Sequence, residues 1–208
     1  MRGTQSPVRW PAAIILLHWV MAVALFAMLA GGMAMTRTAA QAQTTGDFGA
    51  TILGVPIFEA YQLHKSVGVT LFALVVIRLG LRLTLPEPDL PAHMPRAERL
   101  AARGAQLALY VLMLGLPLSG WLVASFSTLG LPTVVFGHFE LPHIFNPDAT
   151  REAWAKTVHL AGASALIGIA AVHGAAALKH HFINKDNVLR AMLPGFAIRA
   201  PQEKTNEQ

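Results

Sequence analysis

No cysteine occurs anywhere in the sequence, so disulfides, iron–sulfur clusters and thiolate metal sites are excluded for this chain on its own. A bound metal would have histidine, methionine or oxygen ligands to draw on. Charge is scarce too. Only 13% of the 208 residues are charged and 54% are hydrophobic, whereas a soluble domain is about a quarter charged. Charge is absent altogether between Trp10 and Thr36 and again between Gly104 and Phe139. Each of these stretches exceeds the roughly 20 apolar residues that cross a bilayer. The net charge of +5 does not indicate nucleic acid, because the basic residues are scattered beside the apolar runs rather than gathered in one patch. Their use is to orient the chain in a membrane.

Four spans are expected, at residues 14–35, 61–83, 105–128 and 154–178. The second is the weakest by hydropathy, since His64, Lys65, Arg78 and Arg82 lie within it or at its ends; it depends on long side chains snorkelling at both ends. Pro117 is expected to kink the third span. Residues 36–60 and 129–153 read as loops with room for short interfacial helices, and the proline-rich LPEPDLPAHMP from Leu85 reads as a turn. With no internal repeat and no loop long enough for a second domain, residues 1–194 are expected to form a single membrane domain. Residues 195–208 are expected to be a disordered tail.

Four spans put both termini on one side. That side and the middle connection carry Arg2, Arg9, Arg78, Arg82, Arg96, Arg99, Arg103, Lys179, Lys185, Arg190, Arg199 and Lys204. The two opposite loops carry Arg37, Lys65, Arg151 and Lys156. Twelve against four places both termini in the cytoplasm. The first span competes with a signal peptide cleaved near TRTAAQAQ, but its apolar run is longer than the usual 7–15 residues of such a peptide.

The segment KTVHLAGASALIGIAAVHGAAALKHHF puts His159 and His173 inside the fourth span. Fourteen helical residues advance about 21 Å and return to within roughly 40° of the starting direction, so the two share a face at opposite depths. His18, in LLHW, matches His173 in depth. His64, in LHKSVG, matches His159. The competing account of any one intramembrane histidine is a helix-to-helix hydrogen bond, but four of them at two matched depths form two layers. Zinc would need three or four protein ligands, and each layer offers two nitrogens. Two axial imidazoles suit haem iron, whose other ligands come from the macrocycle, and without cysteine that haem is held non-covalently. From Leu160 to Leu178, twelve of nineteen residues are Gly, Ala or Ser. These serve either close packing through Ser164/Gly168 and Ala170/Gly174 or the approach of a flat macrocycle. Arg78 and Arg82 at the inner end, and Lys65 and Lys156 at the outer end, are candidate propionate contacts, with lipid anchoring as the alternative for the arginines. His180 and His181 are expected to face lipid headgroups, and His93, His138 and His143 to sit in loops. The last two, in GHFELPH, offer a site for an adventitious divalent metal, with a solvated loop as the plainer role.

LLHW around His18, LHKSVG followed by VIRLGLRL, LALYVLMLGLPLSGW, and VHLAGASALIGIAAVHGAAALKHHFINKDNVLRAMLP together resemble the bacterial cytochrome b561 family. The resemblance runs from the first span to Pro194. It implies an all-α integral membrane bundle of four helices with two b haems between them in the bacterial inner membrane. It also implies axial ligation by His18 with His173 on the cytoplasmic side and by His64 with His159 on the periplasmic side. The activity implied is electron transfer between ubiquinone and a periplasmic reactant, with superoxide oxidation in some members, which would make the chain an oxidoreductase. Lys65, Lys156 and Arg151 form an outer cationic cluster able to steer a small anion. Two other readings stay open. The chain could be the cytochrome b anchor of a dehydrogenase or hydrogenase. It could also be a proton-relaying transporter, against which the lack of intramembrane Asp or Glu weighs. Neither the catalytic residues nor the quinone site can be read from the sequence.

Overall fold

A computed structural model describes residues 9–47 and 49–195. Arg2, Arg199 and Lys204 of the charge tally, and all of the expected tail beyond Gly195, lie outside the described residues. Four helices follow one another: α1 (Ala12–Thr45), α2 (Ile57–Thr84), α3 (Arg96–Phe126) and α4 (Ala149–Lys179). All four are long and apolar enough to cross a membrane.

Proline sets three of the four starts. Pro11, Pro56 and Pro95 stand immediately before α1, α2 and α3, and the ring of each denies its predecessor helical backbone. α4 begins instead at Asp148, whose Oδ1 accepts the Arg151 N–H at 2.9 Å and so satisfies one of the unpaired donors of the first turn. Gly46 closes α1 in the left-handed conformation, φ 73°, with its N–H bonded to the Ala42 carbonyl. α3 runs unbroken through Pro117.

The largest differences from expectation fall at two boundaries. α1 continues ten residues past position 35, through TRTAAQAQTT, and α3 starts nine residues early, at RAERLAARG. Both extensions contain helix-forming alanines, three in each, interrupted by polar or charged residues that mask them in hydropathy: Thr, Gln and Arg in the first, Arg and Glu in the second. The outer loops hold strands rather than short helices. β1 (Thr51–Ile52) pairs antiparallel with β2 (Val55–Pro56), and β3 (Thr133–Val135) with β4 (Phe139–Leu141). Each turn has two successive positive φ values, at Leu53–Gly54 and Phe136–Gly137, the backbone that matches the twist of a tight hairpin.

α1 packs on α2, α2 on α3 and α3 on α4. α3 and α4 come close at Gly162, where an added Cβ would lie 3.2 Å from the Leu116 side chain. Met21, Leu71 and Val75 are buried together among Leu17, Ala24, Met28 and Met113, an apolar plug at mid-depth. Both ends of the described chain meet at one end of the bundle. There Arg9 donates to the Leu193 carbonyl, Trp10 N–H to Ala191 and the Trp19 indole to Met192 at 2.7 Å.

Candidate functional site

The plug separates two layers of histidine. In the inner layer, α1 carries His18 and α4 carries His173, with ring centroids 6.4 Å apart. In the outer layer, α2 carries His64 and α4 carries His159, again 6.4 Å apart. Imidazole nitrogens bound at about 2 Å to one shared metal hold their ring centres about 6 Å apart. Both pairs therefore have the spacing of two axial ligands, and α4 contributes one ring to each.

Around the inner pair lies a cavity of about 1540 Å³ whose walls include His18, Arg78, Tyr110, Ala170, His173 and Gly174. Gly168 and Gly174, which could have been helix-packing residues, have nothing within 4 Å of an added Cβ. Gly174 opens onto the cavity beside His173, which leaves room for a flat macrocycle. Arg78 reaches inward from α2. Its Nη1 donates to the Tyr110 hydroxyl at 3.0 Å, Nη2 lies 3.4 Å from His18 Nδ1, and its buried Nε–H has no protein partner. A buried cation with an unused donor suits a carboxylate. Arg82, one turn on, stacks over the Trp10 ring at 4.3 Å and pairs with Glu87. Of the two arginines, Arg78 is the one directed at His18.

The outer pair is held by glycine and by a hydrogen-bonded socket. An added Cβ at Gly32 would meet His64 Cε1 at 3.5 Å, and one at Gly120 would meet His159 Cε1 at 3.2 Å. His159 Nδ1 lies 3.2 Å from the Leu116 carbonyl and 2.9 Å from Ser119 Oγ, and the Ser119 hydroxyl donates to the same carbonyl at 2.8 Å. A carbonyl can only accept, so Nδ1 carries the proton and Nε2 keeps its lone pair, the arrangement that prepares an imidazole to bind a metal. Nothing in LPLSGW, where Ser119 and Gly120 follow Pro117 after one intervening leucine, marks either residue as a partner of His159.

Lys65 and Lys156 sit at the outer rim. Lys65 Nζ is 3.4 Å from the Pro132 carbonyl, a weak contact, whereas Lys156 Nζ is 2.7 Å from Glu152 and Arg151 pairs with Asp148 at 3.6 Å. Glu152, another residue not singled out in the sequence, also accepts the Thr128 N–H at 3.0 Å and so ties the end of α3 to α4.

His180 does not face headgroups. It is 5% exposed, with Nδ1 2.6 Å from Asp186 and Nε2 3.4 Å from Glu98. The helix passes into a π-helical turn, His180–Asn184, and Lys185 at φ 55° then reverses the chain, which brings Asp186 back over the ring. His181 packs edge-on against Phe182. His143 Nε2 lies 3.0 Å from the Thr133 hydroxyl; burial, with the nearby Lys65 ammonium, holds this imidazole below its usual pKa. Among the described residues no group of three or more His, Asp or Glu side chains is placed to hold a metal ion.

Comparison with known proteins identifies the family. A family model described as prokaryotic cytochrome b561 matches residues 9–195. Cytochrome b561 homolog 2 of Escherichia coli (strain K12) is 34% identical over 194 residues, 93% of this chain and 95% of that protein. A Yersinia pestis protein named "Probable superoxide oxidase CybB" is 30% identical over 134 residues, 64% of this chain and 74% of its own. With the family match spanning all four helices, the chain belongs to the prokaryotic cytochrome b561 family, membrane electron-transfer proteins that carry haem b.

Proposed function

We propose that this protein is a di-haem electron carrier of the bacterial inner membrane that takes electrons from a reactant at its outer face and delivers them to ubiquinone. The observation that carries the reading is the pair of histidine layers, each with rings 6.4 Å apart and each drawing one ring from α4. His18 and His173 would hold the cytoplasmic haem, and His64 and His159 the periplasmic one. Held there by two imidazoles, haem would supply a one-electron couple suited to passing electrons rather than activating oxygen.

The protein's share of the work is position, field and insulation. Leu116 and Ser119 fix the His159 ring and its tautomer. Arg78, with its unpartnered Nε–H, would be the propionate contact at the inner haem. Lys65 is the better placed of its two outer counterparts, since Lys156 is already engaged by Glu152. Met21, Leu71 and Val75 keep water from the space between the layers. Ser119→Ala is expected to weaken retention of the outer haem by about 10- to 100-fold, the usual cost of losing a group that orients a metal-bound histidine. Haem titration of the purified variant measures it.

Superoxide is the proposed outer reactant, on the strength of the Yersinia relative's name and the outer-face cations. The test uses the haem-loaded protein in vesicles containing ubiquinone, with superoxide generated outside. The haems and then the quinone should become reduced. Haems that stay oxidised would refute the outer reactant, and reduced haems beside oxidised quinone would refute the acceptor.

A further inference from the structure

The β3–β4 hairpin connects α3 to α4 but docks on α2, and its docking residues reveal which side of α2 it covers. Gln62 Nε2 donates to the Pro132 carbonyl at 2.8 Å, and Gln62 Oε1 accepts the Val134 N–H at 3.2 Å. One turn further along, Ser66 Oγ accepts the Phe136 N–H at 2.9 Å. His64 is two residues from each, which at 100° per residue places it roughly 200° around the helix. The hairpin therefore lies on the side of α2 turned away from the histidine layers. Further along α2, the same side continues into Ala73, Val76 and Ile77, all exposed. In a membrane helix such a strip faces lipid.

The hairpin also has a direction. Its base rests on Gln62 and its tip on Ser66, four residues nearer the membrane centre, about 6 Å deeper. The tip is apolar where polar residues are usual. Phe136 takes the first central position of the turn at φ 47°, a backbone that favours Asn, Asp or Gly and is costly for a bulky side chain. Phe136 and Phe139 are 52% and 55% exposed. The backbone N–H groups on the α2 side, by contrast, are satisfied by Gln62 and Ser66, as backbone placed beside hydrocarbon must be.

We propose that the β3–β4 hairpin is a lipid-docking element. Its tip inserts into the outer leaflet at the boundary of headgroups and acyl chains and extends the lipid-facing strip of α2. Phe136 and Phe139 enter the apolar side, while Glu140, His138 and the neighbouring Lys65 remain at headgroup level. The partner is the phospholipid surface itself, contacted by a loop rather than by a helix.

The cysteine-free sequence allows a direct test. A spin label is attached through Phe136→Cys, and separately through Phe139→Cys, in the full haem-loaded chain in phosphatidylethanolamine/phosphatidylglycerol vesicles. Collision with apolar oxygen is compared with collision with a polar nickel chelate. Ala73→Cys is the lipid benchmark, and Thr44→Cys, at the outer end of α1, the aqueous one. Oxygen should exceed nickel at 136 and 139, as at 73. Nickel in excess, as at 44, would overturn the proposal by showing that the hairpin faces water. Shielding from both reagents would overturn it in favour of a protein partner or a second copy.

Discussion

Replacing His159 by alanine is expected to strip the outer haem and leave the inner one in place. The outer layer has two imidazoles, His64 and His159, and the substitution removes one axial bond together with the ring that Leu116 and Ser119 hold in position. The inner pair lies about 21 Å away along α4, beyond the plug of Met21, Leu71 and Val75. Sites that far apart with no shared partner respond independently, so the haem-to-protein ratio should fall to about half that of the wild type. His173→Ala is the mirror case and should remove the inner haem. Loss of neither haem in His159→Ala would refute the pairing.

Arg78→Gln should lower the midpoint potential of the inner haem. The substitution keeps most of the side-chain volume and a donor for Tyr110 but removes the positive charge that lies 3.4 Å from His18 Nδ1. A cation stabilises the electron-rich reduced state, so removing it makes reduction harder. A unit charge acting across roughly 8 Å at an effective dielectric of about 20 is worth about 2 kcal/mol, or roughly 90 mV for a one-electron couple. Propionate contact would screen part of this, making the figure an upper value. An optical redox titration should show one haem shifting and the other holding. Equal shifts in both would place Arg78 somewhere other than beside one haem.

The helices and the histidine layers are legible in the sequence for different reasons. The spans appear because charge vanishes for more than 20 residues at a time in α1 and α3. The layers appear because a fourteen-residue spacing on one helix and opposite chain directions fix relative depth. The helix extensions at residues 36–45 and 96–104 escape a hydropathy reading because Thr, Gln, Arg and Glu interrupt their alanines and lower the mean hydropathy, while Ala, Gln, Arg and Glu still favour helix. The hairpins escape because their strands are two or three residues long and their turns carry Leu-Gly and Phe-Gly in place of the Asn-Gly or Asp-Gly signal. His180 departs from the headgroup position its sequence suggests because its burial depends on Asp186 folding back, and nothing in HHFINKD announces the π-helical turn that brings it there. Ser119 and Gly120 needed the neighbouring helix in place before their role at His159 could be seen.

The two-layer account is tested most directly by haem quantification together with the electron paramagnetic resonance spectrum of the purified, oxidised protein. It expects two b haems per chain, both low-spin with bis-histidine character. One haem per chain, or a high-spin signal from iron with an open position, would contradict it.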